Sequence, residues 1–394
     1  MDEKKCIIFF TSDLYLGGIE SYIFRIEDWC KKNNWDFIIN LNKRGYFDNK
    51  WRAYIETKKI KCILTPFHFN LNFLKDYDKI ICISPNLINY LKAARIKRLC
   101  KKDINSFLYI MHPDFIHLFR IKILDKLFSD KILRRIKKDI VFMDDQTRDY
   151  ACNEFPNFEF NNNAILRLGY DYNKKSDFTI PDNNNILTIT RLDFPFKGYV
   201  LGLIEDFSKL AVKYKDAKLT IIGEGKDKNR IQQVIQVLPE DIKDRINLIG
   251  NVPYEHIGEY IKQNQIFVGM GSTLLDATLQ GVICIGAVAN QEKNLSYGYF
   301  YENPLKIGVF EGIDKYKKYT FYDLIENIYN MDFEQKDEIQ KKLNQVFINY
   351  YSLDYVMKYF VENNAKQFKT IPIYNNLFLL YYFIRNNIRI KSNG

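Results

Sequence analysis

Short runs of β-branched and other apolar residues alternate with helical patterns along the whole chain, and most runs end in glycine or polar residues. This alternation is typical of a parallel sheet with crossover helices. In the first half it predicts strands near Cys6–Phe10, Phe37–Leu41, Lys61–Leu64, Ile80–Ser84, Phe107–Met111 and Ile140–Met143. In the second half it predicts strands near Ile186–Thr190, Lys218–Ile222, Asn247–Gly250, Ile266–Gly269 and Val282–Gly286. The fold class that follows is α/β, with two doubly wound domains.

Two polar, turn-rich stretches, 161–164 and 172–185, interrupt this pattern near the middle of the chain. A chain of 394 residues is longer than one core usually organises. We therefore predict an N-terminal domain over 1–172, a second domain over 173–350, and a helical tail over 351–394 that returns to the first domain. Because open α/β sheets bind ligands at the carboxyl ends of their strands, we expect the two domains to face each other across a ligand-binding cleft.

The composition is that of a globular protein, with 47% hydrophobic and 27% charged residues. No run approaches the roughly 18 apolar residues that a membrane-spanning helix needs, and the first apolar run turns polar at Thr11, too soon for the core of a signal peptide. We therefore predict a cytoplasmic protein. The seven cysteines are scattered and the four histidines have no metal-pair spacing, so neither a disulfide framework nor a zinc site is expected.

The formal charge of +10 is concentrated in three segments. Residues 92–102 carry six lysines and arginines and no acid, residues 117–138 are strongly basic, and no acidic residue follows Glu362. Such clusters attract phosphate-rich surfaces, whether lipid headgroups or nucleic acid. No nucleic-acid-binding module is recognisable, so we expect no nucleic-acid partner.

The segments 115–135 and 374–390 combine large apolar residues with cations at roughly helical spacing. One interpretation is an ordinary helix with a core stripe and a solvated face. The other, which we favour, is a helix that lies on an anionic bilayer. It predicts peripheral association with the inner face of the cytoplasmic membrane, although part of the tail could simply pack on the first domain.

Two cations, Arg191 and Lys197, lie six residues apart on a loop that leaves a predicted strand. Cations aimed at a diphosphate stabilise the negative charge that develops as a sugar–phosphate bond breaks. Taken alone, such a pair is more often a solvated feature of a loop. Beside the glycine-containing turns of the same chain, it indicates a phosphate site.

Three glycine-containing turns accompany these cations. They are Gly17 and Gly18 before the first predicted helix, Gly223 and Gly225 after a strand of the second domain, and Gly271 with Ser272, Thr273 and Leu274 at a predicted helix start, where Ser272 and Thr273 are expected to form the cap. Residues without a β-carbon and free helix-terminal amides let a phosphate approach the backbone. Lys228 stands where a dinucleotide fingerprint needs its third glycine, which excludes a nicotinamide dehydrogenase.

Other polar residues complete the candidate set. Asp276, one turn into the helix after Gly271, can accept hydrogen bonds from vicinal hydroxyls such as those of a ribose; alternatively, it only complements the helix dipole. His112 follows a strand of the first domain and is a candidate for contacting a sugar. Asp76 and Asp78 match a metal-binding Asp-x-Asp pattern but precede a strand, so we attribute the match to chance.

The order and spacing of these motifs resemble the GT-B-type glycosyltransferases, specifically the large retaining group called family 4, which includes many bacterial polysaccharide and lipid-glycan enzymes. The motifs are Gly17-Gly18-Ile-Glu20, His112, Arg191 with Lys197-Gly198, Gly223-Glu-Gly225, Ile249-Gly250-Asn-Val252 and the segment 269–281. The resemblance is strong over 186–285 and weaker but collinear over the first domain. It implies two Rossmann-like domains, the first on the acceptor side and the second binding a nucleotide-sugar donor.

The resemblance also implies roles for individual residues. Arg191 and Lys197 would bind the donor diphosphate, Gly17 and Gly18 would lie against the same phosphates, and His112 would contact the transferring sugar. Asp276 corresponds to the second glutamate of the family's Glu-x7-Glu pair, which reads donor hydroxyls. The turns at Gly223, Gly225, Val252, Gly271, Ser272, Thr273 and Leu274 complete the expected donor site.

Val268 stands where the family has the first glutamate of that pair. Valine cannot form hydrogen bonds with a donor sugar. The alternatives are a donor sugar with fewer hydroxyls, a substitute polar group such as Ser272 or the backbone, or loss of activity.

The predicted function is transfer of a sugar from a nucleoside diphosphate sugar onto a surface-polysaccharide, lipopolysaccharide or lipid-linked glycan acceptor. The resemblance implies retention of configuration, by front-face attack in which the leaving diphosphate helps deprotonate the acceptor, without a metal or cofactor. The alternative is a catalytically inert, nucleotide-sugar-binding scaffold of a glycan-biosynthesis complex. The donor base, the donor sugar and the acceptor are not readable from this sequence.

Overall fold

The structure is a computed structural model. It describes residues 3–11, 14, 18–42, 46–65, 72–100, 104–111, 117, 132–156, 160, 164–172, 181–308 and 318–364. The chain divides into two compact units. The first comprises Met1–Met143, Thr147–Leu166 and Lys358–Gly394, and the second comprises Asp144–Gln146 and Arg167–Met357. The sequence analysis placed the corresponding boundaries at 172 and 350.

The first unit is built on a parallel sheet whose described strands follow the order β3-β2-β1-β4-β5-β6. The strands are β1 Lys5–Thr11, β2 Trp35–Asn42, β3 Lys61–Thr65, β4 Lys79–Ser84, β5 Ile104–Ile110 and β6 Ile140–Phe142. Every residue of β5 is buried, as expected of a parallel strand covered on both faces.

Helices connect and cover these strands. They are α1 Gly18–Lys32, α2 Asn49–Thr57, α3 Leu87–Cys100 and α4 Asp145–Glu154. The α1 ring of Phe24 stacks on Trp51 of α2 with 4.4 Å between ring centroids, so aromatic contacts join these two helices. The ring of Phe360, from the last described segment of this unit, lies 5.2 Å from that of Phe107 in β5.

The second unit is built on a mixed sheet of described strands in the order β13-β12-β11-β10-β7-β8-β9. The strands are β7 Asn185–Ile189, β8 Lys218–Ile222, β9 Ile246–Ile249, β10 Ile266–Gly269, β11 Ile283–Ala287, β12 Leu295–Tyr299 and β13 Tyr319–Thr320. The strands from β7 to β11 are parallel, whereas β12 and β13 pair antiparallel at one edge.

The helices of the second unit pack around this sheet. They are α5 Tyr199–Lys213, α6 Lys228–Gln236, α7 Glu240–Lys243, α8 Tyr254–Lys262, α9 Ser272–Leu279, α10 Phe321–Tyr329, α11 Phe333–Tyr350 and the first part of α12 Leu353–Asn364. Phe267 and Val268 in β10 are fully buried and belong to the core. The predicted α/β fold with doubly wound sheets is confirmed.

The strand order of the second unit reverses between two neighbouring strands. The chain runs outward from β7 to β8 and β9, then returns to place β10 and β11 on the other side of β7. Such a reversal opens a crevice outside the carboxyl ends of the two central strands, because their connections leave in opposite directions. The exits of β7 and β10 are therefore where a ligand is expected in this unit.

Four expectations from the sequence concern membrane-spanning helices, metal ligands, disulfides and the predicted membrane segments. Within the described ranges, none of the helices combines the length and apolar character that crossing a membrane requires, and no group of three or more His, Cys, Asp or Glu side chains there could hold a metal ion. Free thiols are present at Cys6, Cys30, Cys62, Cys82, Cys152 and Cys284. Residues 118–131 and 365–394, which carry most of the two predicted membrane segments, lie outside the described residues.

Candidate functional site

The exits of β7 and β10 are joined by a side-chain hydrogen bond. Thr273 lies in the first turn of α9. Its Oγ1 donates a hydrogen bond to the carbonyl oxygen of Ile189, the last residue of β7, at a distance of 3.1 Å. It also lies 3.3 Å from the carbonyl oxygen of Met270, just after β10. The predicted site residue Thr273 therefore connects the loop that carries the two cations to the glycine turn.

Gly271 makes the turn between β10 and α9. Its φ of +75° lies in the left-handed region that favours glycine, and its amide donates to the carbonyl oxygen of Ile307. Gly271 is also the cap of α9, whereas the sequence analysis assigned the cap to Ser272 and Thr273. That assignment was wrong because the positive φ turns the chain into the helix one residue earlier, so that Ser272 is already helical.

The backbone amides at the start of α9 differ in whether they donate to a backbone carbonyl oxygen. The Leu274 amide donates to the carbonyl oxygen of Gly271 at 3.2 Å, so it is already engaged. Among the described residues, the amides of Ser272 and Thr273 have no recorded backbone acceptor. Since the N-terminus of a helix also has a partial positive charge, these two amides are suited to an anion.

The ammonium of Lys197 lies beside this turn. Its Nζ is 4.0 Å from the position that a β-carbon on Gly271 would occupy, and 5.0 Å from the centroid of the Phe196 ring. The side chain is half-buried, and within the described part of the chain no carboxylate forms an ion pair with it. Burial, together with the positive charge of Arg191, lowers the pKa of Lys197 to about 8.

The second cation, Arg191, is more open to solvent. Its side chain is 71% exposed, and its Nε lies 3.0 Å from Oδ2 of Asp193. Because an exposed ion pair of this kind is weak, an anionic ligand could compete with Asp193 for the guanidinium. The structure thus places both cations on one loop. Arg191 is exposed and can exchange Asp193 for another anion, whereas Lys197 is half-buried.

The loop that carries both cations is fixed by backbone contacts. The amide of Lys197 donates to the carbonyl oxygen of Asp193 at 3.0 Å, and the amide of Phe194 donates to Oδ2 of Asp227 at 2.7 Å. From the exit of β11, the amide of Asn290 donates to the carbonyl oxygen of Phe196 at 3.1 Å. These contacts hold the backbone of the loop in place before any ligand arrives, and a preformed loop favours binding.

The two glycines after β8 pack closely against the same loop. A β-carbon on Gly223, whose φ is +148°, would lie 1.8 Å from the carbonyl oxygen of Thr190. One on Gly225 would lie 2.4 Å from the carbonyl oxygen of Leu192. These glycines are therefore required by the fold at the β7 exit, and their predicted contact with a nucleotide stays a prediction.

Asp276 has a partner that the sequence analysis missed. Its side chain is 8% exposed, and its Oδ1 accepts a hydrogen bond from the hydroxyl of Tyr254 at 2.8 Å. Tyr254 is the first residue of α8 and follows the predicted site residue Val252, which is half-buried. No local sequence pattern links Tyr254 to Asp276, because the two residues lie 22 positions apart in the chain.

Val268 is fully buried within β10, where it pairs with Ile285 of β11. A valine is favoured at a position of a parallel strand covered on both faces. From the motif spacing, Val268 was predicted to stand where the family has the first glutamate of its pair. The structure buries Val268 in the core, whereas Ser272, the suggested substitute, is half-buried at the start of α9.

Of the three site residues predicted in the first unit, Gly18 is among the described residues and the other two are not. Gly18 is the first residue of α1. Gly17 and His112 lie outside the described residues. Their roles stay predictions from the resemblance.

Comparison with known protein families gives a match over residues 172–296 to the family described as glycosyl transferases group 1. The chain carries a glycosyltransferase domain. The matched segment contains every predicted site residue of the second unit, from Arg191 to Asp276. No curated protein sequence is significantly similar to the chain.

Solved structures of glycosyltransferases resemble the whole chain. A glycosyltransferase from Rickettsia africae is 15% identical, with a TM-score of 0.63 over 93% of this chain and 100% of that chain. The lipopolysaccharide outer core galactosyltransferase WaaB is 17% identical, with a TM-score of 0.54 over 91% of this chain and 98% of that one. TarM of S. aureus is 12% identical, with a TM-score of 0.56 over 92% and 100%.

At these identities the likeness shows the fold, which is that of the GT-B glycosyltransferases. Together with the group 1 domain, it identifies the activity class: the chain is a glycosyltransferase.

Proposed function

We propose that this glycosyltransferase moves a sugar from a nucleoside diphosphate sugar to a surface-polysaccharide, lipopolysaccharide or lipid-linked glycan acceptor, with retention of configuration. The Lys197 ammonium carries the proposal, because it has no carboxylate partner among the described residues and lies next to the Gly271 turn. A half-buried cation without a counterion has lost part of its hydration, and a ligand that supplies negative charge offsets that cost. A diphosphate supplies that charge.

The proposed chemistry follows from where the charge develops. As the bond between the sugar and the diphosphate breaks, negative charge accumulates on the leaving oxygen. Lys197, the Ser272 and Thr273 amides and the α9 dipole are already in place, so they stabilise that charge without first reorganising. Arg191 adds a second cation when it exchanges Asp193 for the diphosphate. With these donors the transfer is proposed to need no metal ion.

Asp276 is proposed to bind the ribose of the donor. It lies at the first turns of α9, on the same helix whose start faces the phosphates, and a carboxylate accepts hydrogen bonds from two vicinal hydroxyls. Support for this kind of donor comes from related folds. The TarM structure is a complex that includes UDP and alpha-GlcNAc-glycerol, and another neighbour is described as bound with UDP-2-fluoro glucose.

We also propose that the protein associates peripherally with the inner face of an anionic membrane. The support is the sequence itself, with six cations and no acid in 92–102 and no acid after Glu362. Clustered cations next to apolar residues favour anionic lipid surfaces. A lipid-linked acceptor would be available at such a surface.

A binding and turnover experiment tests the proposed activity. The wild-type protein is titrated with UDP and GDP in a calorimeter, and release of free nucleoside diphosphate from UDP- and GDP-sugars is followed with and without lipid-linked acceptors. Lys197→Ala is expected to weaken binding about 10- to 100-fold, because a hydrogen bond to a charged group is lost. It should also abolish turnover.

Lys341→Ala is the matched control. Lys341 lies on α11 of the same unit, is exposed, and pairs with Asp337 at 2.6 Å. Full turnover by Lys197→Ala, or equal effects of the two substitutions, would contradict the proposal. Binding by the wild-type protein without any hydrolysis or transfer would instead favour the inert scaffold.

A further inference from the structure

Tyr170 reaches the start of α9 from a distant part of the second unit. Its hydroxyl donates a hydrogen bond to the carbonyl oxygen of Ser272 at 3.1 Å, and the two residues lie 102 positions apart in the chain. Both belong to the second unit. The tyrosine is only 3% exposed, so its ring lies in the interior. A buried hydroxyl therefore contacts the turn whose amides are suited to an anion.

We propose that Tyr170 is a positioning residue for the donor diphosphate, because its hydroxyl fixes the peptide unit between Ser272 and Thr273 so that the Thr273 amide points at the phosphates. This inference rests on the proposed function and deepens it by naming a residue that prepares the diphosphate site. Tyr170 acts through that peptide unit and is not assigned a contact with the donor or with the reacting atoms.

The carbonyl of Ser272 and the amide of Thr273 belong to one peptide unit. Such a unit is planar and trans, so its C=O and N–H bonds point in opposite directions. A hydrogen bond that fixes the carbonyl oxygen therefore also fixes the direction of the amide. It polarises the unit as well, because hydrogen bonds in series strengthen one another. With Tyr170 in place, the Thr273 amide is thus a better oriented and stronger donor to an anion.

Tyr170 is itself held in place by its neighbours. Its amide donates to the carbonyl oxygen of Tyr351 at 2.8 Å, and its carbonyl oxygen accepts from the amide of Leu353 at 2.7 Å. Its ring packs edge-on against that of Phe347, with 6.0 Å between the ring centroids. Since the backbone and the ring are both fixed, the hydroxyl needs no rearrangement when a ligand binds, which favours binding.

Other contacts hold the same turn but leave this peptide unit to Tyr170. The amide of Gly271 and the side chain of Thr273 each donate to a backbone carbonyl elsewhere in the unit. Within the described residues, Tyr170 is the one side chain with a recorded hydrogen bond to the peptide unit between Ser272 and Thr273. The ammonium of Lys197 lies beside the same turn, so an anion bound there meets an oriented amide and a cation together.

The test removes the hydroxyl and keeps the ring. Binding of UDP, GDP, uridine and guanosine to the wild type and to Tyr170→Phe is measured by ligand-observed NMR, and kcat is measured from release of the nucleoside diphosphate. We expect Tyr170→Phe to bind the diphosphate about 3- to 10-fold more weakly, because a hydrogen bond that supports a charged ligand is lost. Affinity for the matching nucleoside should not change, since it has no phosphate. The kcat should also fall, because the amide stabilises charge that grows on the leaving group.

Tyr329→Phe is the matched control. Tyr329 is the last residue of α10, and its hydroxyl donates to the carbonyl oxygen of Asn184 at 2.7 Å, just before the start of β7. The substitution therefore removes the same kind of hydrogen bond at the end of β7 opposite to the site. It should keep the wild-type affinity for the diphosphate and the wild-type kcat. Thermal melting of both variants separates a general loss of stability from a loss of diphosphate binding.

The outcomes separate this inference from the proposed function. If the wild type binds neither UDP nor GDP, the proposed function is wrong and the inference fails with it. If the wild type binds a nucleoside diphosphate and Tyr170→Phe binds it equally well, only the inference is wrong. The same holds if Tyr170→Phe weakens binding of the nucleoside as much as that of the diphosphate, or if Tyr329→Phe weakens diphosphate binding equally. A loss confined to the diphosphate and to Tyr170→Phe supports the inference.

Discussion

The lowered pKa of Lys197 predicts that donor binding weakens in mildly alkaline solution. With a pKa of about 8 in the free protein, the ammonium is largely charged at pH 7 and largely neutral at pH 9. A bound diphosphate favours the charged form and raises the pKa of Lys197 in the complex. Binding at high pH must therefore take up a proton, and the affinity falls as pH rises through the pKa of the free protein.

The magnitude follows from the protonated fraction. For a pKa of about 8, that fraction drops about tenfold between pH 7 and pH 9, which corresponds to about 1.4 kcal/mol of binding free energy. Proton uptake on binding should rise from about 0.1 at pH 7 to about 0.9 at pH 9. The ligand contributes little, since the terminal phosphate of UDP ionises near pH 6.

Calorimetry of UDP binding in two buffers of different ionisation enthalpy measures both quantities. Lys197→Arg is the decisive comparison, because a guanidinium stays charged throughout this range. Its affinity is expected to be nearly independent of pH. A wild-type affinity that is constant from pH 7 to 9, or an equally steep decline in Lys197→Arg, would show that Lys197 does not carry the titration.

Two further predictions concern the fold and the membrane. Gly223→Ala should destabilise the protein by about 3 kcal/mol or more, through both the φ of +148° and the 1.8 Å approach to the carbonyl oxygen of Thr190. Gly308→Ala is its control in thermal melting, because a β-carbon there meets nothing within 4 Å; equal melting temperatures of the two variants would refute the packing argument. The full chain should float with vesicles containing anionic lipid at low salt and separate from them at about 1 M salt, where charges are screened within about 3 Å. Protein that stays at the bottom of the low-salt gradient would exclude the membrane proposal.

The parallel strands could be predicted from sequence because their pattern is simple. A strand covered on both faces is a short continuous apolar run, as in Ile266–Gly269, where the prediction and the structure share both ends. The antiparallel pair β12 and β13 was missed. Leu295–Tyr299 mixes serine, glycine and tyrosine, and Tyr319–Thr320 is only two residues long, so neither has a recognisable period.

The candidate site was predictable in part, for a related reason. Lys197 and Gly271 could be proposed separately from their local motifs, and the strand order then brings them together. The Tyr254 to Asp276 hydrogen bond has no local signal, because it joins two elements 22 residues apart. Val268 was correctly predicted to lie in the strand Ile266–Gly269, but neither the strand pattern nor the motif spacing shows that its side chain is fully buried.

The hydrogen bond between Thr273 and Ile189 joins residues 84 positions apart in the chain, which has a consequence for biosynthesis. During synthesis, β7 and its cationic loop leave the ribosome well before β10 exists. A nascent chain of that length has the lysine but no partner turn beside it. The proposed nucleotide site is therefore complete only after β10 has inserted beside β7, late in synthesis. Shortened forms of the second unit that end before β10 are expected to be unable to bind a donor.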